Sequence, residues 1–154
     1  MSKSLFALSL LLLLLSLPSS LSQNPNPSST AYSELKSYGF PVGLLPVNVA
    51  SYSLNRTSCD FAVHLDGRCR ITLPPDNYLA SYERRITGKL VGGKIADLDG
   101  IRVRALFRWW SISGIRLSGD DLVFEVGVAS ARYPARNFDK VPECEGRAPK
   151  KADS

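Results

Sequence analysis

From position 47 onward, apolar residues fall at every second place, in short runs separated by turn residues. Tyr52 and Leu54 precede a polar stretch, Asn55-Arg56-Thr57-Ser58. Cys59, Phe61 and Val63 then alternate with Asp60, Ala62 and His64. After Asp66-Gly67 the alternation resumes as Cys69, Ile71 and Leu73 against Arg68, Arg70 and Thr72. A period of two places one set of side chains in a core and the other in water, which is the pattern of half-buried strands. Further runs span residues 78–91, closed by Gly92-Gly93, then 101–110 and 111–117, and after Gly119-Asp120 a run through Leu122, Phe124, Val126 and Val128. Short alternating runs with recurring turns predict a mainly β protein, an antiparallel barrel or sandwich.

Before the strands, Tyr32, Leu35 and Tyr38 have helical spacing. Thr30 or Ser29 can cap a short helix that Gly39 stops. Residues 40–46, FPVGLLP, carry two prolines and a glycine, which bar a helix or a central strand. Phe40, Leu44 and Leu45 therefore form an apolar turn that is either buried or bound to a ligand.

The first residues predict export. Lys3 is followed by an apolar run over 5–15, broken only by Ser9, and then by Pro18 and small serines. That order of charge, short apolar segment and small residues is a signal peptide at 1–22, with cleavage after Ser22 preferred over Ser20. A membrane span needs ~20 apolar residues, so no transmembrane segment is expected in the mature chain. Residues 23–29 read as a flexible lead-in, 30–144 as a single β-rich domain, and 145–154 as a loose charged tail. About 130 mature residues suffice for one core.

In an oxidising compartment, three cysteines allow one internal bridge and one leftover thiol. Asp66-Gly67 between alternating runs predicts a hairpin. A three-residue loop, 65–67, pairs His64 with Arg68, Val63 with Cys69, Phe61 with Ile71 and Cys59 with Leu73. That register holds Cys59 and Cys69 roughly 13 Å apart, whereas a disulfide needs Cα atoms within about 7 Å. Cys144 then pairs with one of the two, and Cys69–Cys144 is preferred because it pins the C-terminal segment to the sheet.

The chemistry-bearing residues are sparse. His64 is the sole histidine. With Ser58 and Asp66 nearby it is the one weak catalytic candidate, and no Gly-x-Ser-x-Gly elbow accompanies it. One histidine and no close cysteine pair leave no metal site, and no cofactor is expected. Gly88, Gly92 and Gly93 lack the order of a phosphate loop. The acidic pairs Asp97/Asp99 and Asp120/Asp121 read as solvated turns. Asn55-Arg56-Thr57 is an N-glycosylation sequon. Arg102, Arg104 and Arg108 fall on one face of a strand, and the adjacent Trp109 and Trp110 point to opposite faces. With Phe40, Leu44 and Leu45 they are the expected ligand-binding set. Arginines beside aromatic surface suit sugar rings or a membrane interface. The net charge of +5 fits an anionic surface, and no nucleic-acid partner is expected.

The blocks AYSELKSYGFPVGLLPVNVASYSLN, FAVHLDGRC, RRITGKL and FEVGVAS together resemble a plant-specific secreted family, that of domain of unknown function 538. The likeness runs from Ala31 to Cys144. It implies a compact antiparallel β-barrel-like fold with a short N-terminal helix, in an apoplastic or cell-wall setting. Two activities are implied for such proteins, lipid binding and a weak esterase acting on chlorophyll, and neither brings a catalytic motif that maps here. Cys59 is not a family position, which fits an unpaired thiol. The expected function is a non-enzymatic binder of a lipid or other amphipathic ligand; the alternatives are an acidic cell-wall polysaccharide binder and a weak hydrolase of chlorophyll or lipid esters.

Overall fold

The computed structural model describes residues 30–73 and 76–146. The expected signal peptide, the lead-in and residues 147–154 of the tail lie outside them. Helix α1, Ala31–Ser37, begins at a reciprocal cap: Thr30 Oγ1 accepts from Ser33 N, and Ser33 Oγ accepts from Thr30 N. This satisfies two of the donors that every helix start leaves open. Ala31 and Leu35 face the core, and the buried Glu34 accepts hydrogen bonds from Tyr52 (3.0 Å) and Arg56 (2.8 Å). That carboxylate ties α1 to the strand and turn that follow.

Nine antiparallel strands form one mainly β sheet among the described residues: β1 Val49–Leu54, β2 Asp60–Leu65, β3 Cys69–Leu73, β4 Tyr78–Val91, β5 Lys94–Ala105, β6 Arg108–Ser111, β7 Gly114–Ser118, β8 Asp121–Val126 and β9 Ala129–Pro134. The path runs β1-β2-β4-β5-β7-β8-β9 and does not close on itself. The long strands β4 and β5 are its spine, and register shifts bend them. At one bend Gly100 has φ 109°, and a Cβ there would lie 2.6 Å from the Arg85 carbonyl, so only glycine fits.

Each spine strand is flanked by a strand broken in two. β2 and β3 both pair with β4, Asp60↔Lys89 through His64↔Arg85 and then Cys69↔Tyr82 through Leu73↔Tyr78. The expected hairpin at Asp66-Gly67 is therefore wrong, as are its pairs His64–Arg68, Val63–Cys69, Phe61–Ile71 and Cys59–Leu73. The segment 66–68 is a step within one strand line, because β4 is long enough to partner both halves. Asn48 holds the step: its Nδ2 donates to Asp66 Oδ1 and to the Gly67 carbonyl, both at 3.0 Å. On the other side, β6 and β7 both pair with β5 and are interrupted at 112–113.

Alternate residues of the strands, among them Phe61, Val63, Leu65, Ile71, Ile101, Ile115, Leu122 and Phe124, fill the interior. Residues 40–46 plug it. Phe40, Leu44 and Leu45 are 1%, 4% and 4% exposed, and Tyr82, whose ionisation burial pushes well above the phenol range, donates to the Leu44 carbonyl at 2.9 Å. Gly43, in a 3-10 turn at Val42–Leu44, sits against a second one, Ala135–Phe138; a Cβ on it would lie 2.3 Å from the Phe138 carbonyl.

The disulfide joins Cys69 to Cys144 with Cα atoms 5.1 Å apart, and Cys59 is a free thiol. Beyond it, Glu145 bridges to Arg70 and accepts from Thr72 N and Oγ1, each at 3.0 Å. These contacts attach Glu145, just beyond the disulfide, to β3.

Candidate functional site

Residues 101–110 do not make one strand. A two-residue turn at Leu106-Phe107 reverses the chain, pairing Ala105 with Arg108, Arg104 with Trp109 and Val103 with Trp110. Such a turn inverts the parity of the side chains, so residues of odd and even number share a face across it. Arg102, Arg104 and Trp109 are consequently together on the outward face, whereas Arg108 and Trp110 belong with Val103 and Ala105 on the inner one. The expectation that Arg108 shares a face with Arg102 and Arg104 fails for this reason.

On the inner face, the β5–β6 hairpin and the β8–β9 hairpin border an apolar cleft of about 290 Å³. Trp110, Val103, Leu106 and Ile112 form one wall and Phe124, Val126, Ala129 and Ala131 another, with Leu73, Tyr78, Tyr133 and Phe138 closing it. Ala105 on one side and Ala129 and Ala131 on the other contribute its smallest apolar side chains. The indole N–H of Trp110 donates to the Ala105 carbonyl at 3.0 Å, leaving its ring for packing. The Arg108 guanidinium lies 4.5 Å from that ring, a cation–π contact. Tyr133 donates to Asp76 at 3.2 Å; burial, then Tyr78 and Asp76, push its ionisation up to about 12. The cleft therefore has mostly apolar walls with the Tyr133 phenol and Ser130 among them, and a cation beside it where Arg108 packs on Trp110. Phe40, Leu44 and Leu45 do not line it; they belong to the plug.

On the outward face, Arg70 and Arg102 stand 5.7 Å and 5.9 Å from the Trp109 ring. Glu83 pairs with Arg102 (3.0 Å) and Arg68 (3.2 Å). A separate polar groove of about 830 Å³ runs over the outer side of β1, β2 and β4, lined by Ser53, Asn55, Asp60, Thr87 and Lys89 among others. Asn55 is exposed at its end, its Oδ1 accepting from Thr57 N (2.9 Å) and Ser58 N (3.0 Å). Asp97 and Asp99 lie within β5 and not in a turn, with Asp97 at φ 51°.

His64 is exposed on β2, opposite Ser51 and Arg85. Ser58 Oγ donates to Asp60 (2.9 Å), and Asp66 Oδ1 accepts from Asn48. Both intended triad partners are thus engaged elsewhere. Among the described residues, no group of three or more His, Cys, Asp or Glu could hold a metal, and no helix is long and apolar enough to cross a membrane.

The β8–β9 wall, Phe124 to Tyr133, was not anticipated as part of a site. Its signal was present: an Ala-x-Ala pair in a strand facing aromatics leaves space that the core does not fill.

A family model described as "Protein of unknown function, DUF538" matches residues 31–139. An uncharacterized protein of Arabidopsis thaliana is 24% identical over 98 residues, covering 64% of this chain and 56% of the relative. The chain thus spans little more than half the length of that relative. No solved structure matches.

Proposed function

The chain belongs to the DUF538 family, and on that premise we propose that it is a secreted, non-enzymatic binding protein for a lipid or other single-chain amphipathic ligand. One observation carries the reading: the cleft between the β5–β6 and β8–β9 hairpins is lined mostly by apolar side chains, and the Arg108 guanidinium packs on the ring of Trp110, one of those lining residues. Its volume lies near the low end of small-molecule sites, ~300–1,000 Å³. It therefore suits one acyl chain or a fused-ring body, with an acidic head toward Arg108. The signal-like residues 1–22 and a disulfide compatible with an oxidising compartment favour the plant apoplast or cell wall as its setting.

The test is titration of a fluorescent fatty acid, with native mass spectrometry of protein secreted by plant tissue. The expected result is excess mass that leaves as lipid on denaturation. Trp110→Ala and the cleft-filling Ala131→Trp are each expected to weaken fatty-acid affinity about tenfold or more. Unchanged affinity in Ala131→Trp overturns the reading.

A second reading is favoured by the outward stack of Arg70 and Arg102 on Trp109, which suits an acidic wall polysaccharide. Binding of pectin fragments that ignores salt would sink it. The weak-hydrolase reading rests on His64 alone, and activity surviving His64→Ala removes it.

A further inference from the structure

The described two-residue hairpin turns differ in one respect. β4–β5, β7–β8 and β8–β9 each put glycine in the left-handed region: Gly93 at φ 76°, Gly119 at φ 60° and Gly127 at φ 63°. β5–β6 fills both positions with large apolar residues, Leu106 at φ 54° and Phe107 at φ 65°. Two successive left-handed residues make a type I′ turn, for which Asn-Gly is the unstrained choice. A bulky residue there works against its own Cβ. Both side chains also stand in water, 83% and 94% exposed. The tip thus carries backbone strain and apolar exposure together, and either polar or small residues would relieve both. Such an accumulation at one tip points to a role outside the fold's own stability.

The surroundings say what meets the tip. Arg104 and Arg108 flank it, exposed, and neither has a carboxylate partner among the described residues. Trp109 and Trp110 stand directly behind. Val128, fully exposed, caps the neighbouring β8–β9 turn, which borders the same cleft. An apolar tip followed by cations and indoles matches the change of a bilayer from acyl chains to its interfacial headgroup region, where arginines reach phosphates and tryptophans settle. A protein partner is the poorer fit, since a stable interface buries ~1,200–2,000 Å², far more than two side chains offer.

We infer that the β5–β6 tip is a membrane-docking finger: Leu106 and Phe107 enter the acyl region of an anionic bilayer while Arg104 and Arg108 meet its phosphates. This goes beyond ligand binding in the cleft and does not require it, although Leu106 lines that cleft and a docked tip brings its mouth to the lipid surface.

The experiment is flotation of the secreted full-length protein with phosphatidylcholine vesicles, alone and with about 30% phosphatidylserine. The central variant combines Leu106→Asn with Phe107→Gly, which supplies the favoured turn and keeps the fold at least as heat-stable as the parent. Binding to the anionic vesicles is expected to fall more than about tenfold in it. Arg104→Gln with Arg108→Gln is expected to remove the preference for anionic over neutral vesicles. Ala131→Trp, which tests the cleft, is expected to float as the parent does. Equal flotation of the turn variant overturns the inference, as does a parent that ignores both vesicles. A turn variant that instead abolishes self-association assigns the tip to a second copy and overturns it too.

Discussion

The two broken strands, β2–β3 and β6–β7, sit at equivalent places beside the spine and are held by different means. At 66–68 a backbone hydrogen bond, Asp66 N to Asn48 O (3.0 Å), is reinforced by a side chain and a covalent bond: Asn48 grips Asp66 and Gly67, and Cys69 just beyond is bonded to Cys144. At 112–113 the break is held by backbone hydrogen bonds, Ile112 N to Ile101 O (3.0 Å), Ser113 N to Glu125 O (2.9 Å) and Leu98 N to Ser113 O (3.0 Å), and by the buried Ile112 side chain. The stapled break lies away from the apolar cleft, and the other forms part of its wall. The difference teaches that rigidity is concentrated where the sheet is anchored to its C-terminal segment. The wall facing the cleft is left to non-covalent contacts, which can open locally at lower cost.

Mutations at each break sharpen or destroy that contrast. Cys144→Ala removes the staple and is expected to cost roughly 4 kcal/mol in the chain-entropy account, read by urea denaturation; a loss under about 1 kcal/mol would mean the anchor is packing alone. Ile112→Ala empties the plug of the open break and is expected to cost about 3 kcal/mol. It should also speed amide exchange at 110–113 and leave 66–70 unchanged. Acceleration spread evenly over both breaks would erase the distinction. Asn48→Ala strips the side-chain hydrogen bonds from the stapled step, for about 2 kcal/mol by thermal denaturation. The smallest effect belongs to Asp60 and Lys89, which pair at 2.8 Å where β2 begins on β4. The Lys89 hydrogen bond, with help from Ser58, holds the Asp60 carboxyl below its usual range, and Asp60 in turn raises Lys89. Their contribution is therefore full at neutral pH. It fades as pH falls through the lowered Asp60 value, and again as pH rises through the raised Lys89 value. Asp60→Asn should flatten a pH–stability profile at both ends, by little, since both groups are solvent-exposed.

Much of this architecture was legible in the residues. The capped helix, the strand periods and the glycine turns at 92–93 and 119–120 follow local rules. Asp66-Gly67 misled because a turn dipeptide reverses a chain only where the flanking strands lack other partners, and β4, fourteen residues long, partners both. Leu106-Phe107 was missed for the opposite reason: nothing in its composition marks a turn. That single omission inverted the faces of Trp109, Trp110 and Arg108. Phe40, Leu44 and Leu45 were expected to be buried or bound, and only packing decides between these. The cleft itself depends on which hairpins face each other across an unclosed sheet, a long-range property that periodicity does not encode.

The disulfide has a topological consequence. Every residue lining the cleft, from Leu73 to Phe138, lies inside the covalent ring closed by Cys69 and Cys144. A protease that cuts a hairpin tip anywhere in that ring opens it without releasing a fragment. Both pieces stay tethered through sulfur, and the nicked chain keeps all the walls of its cleft on one molecule.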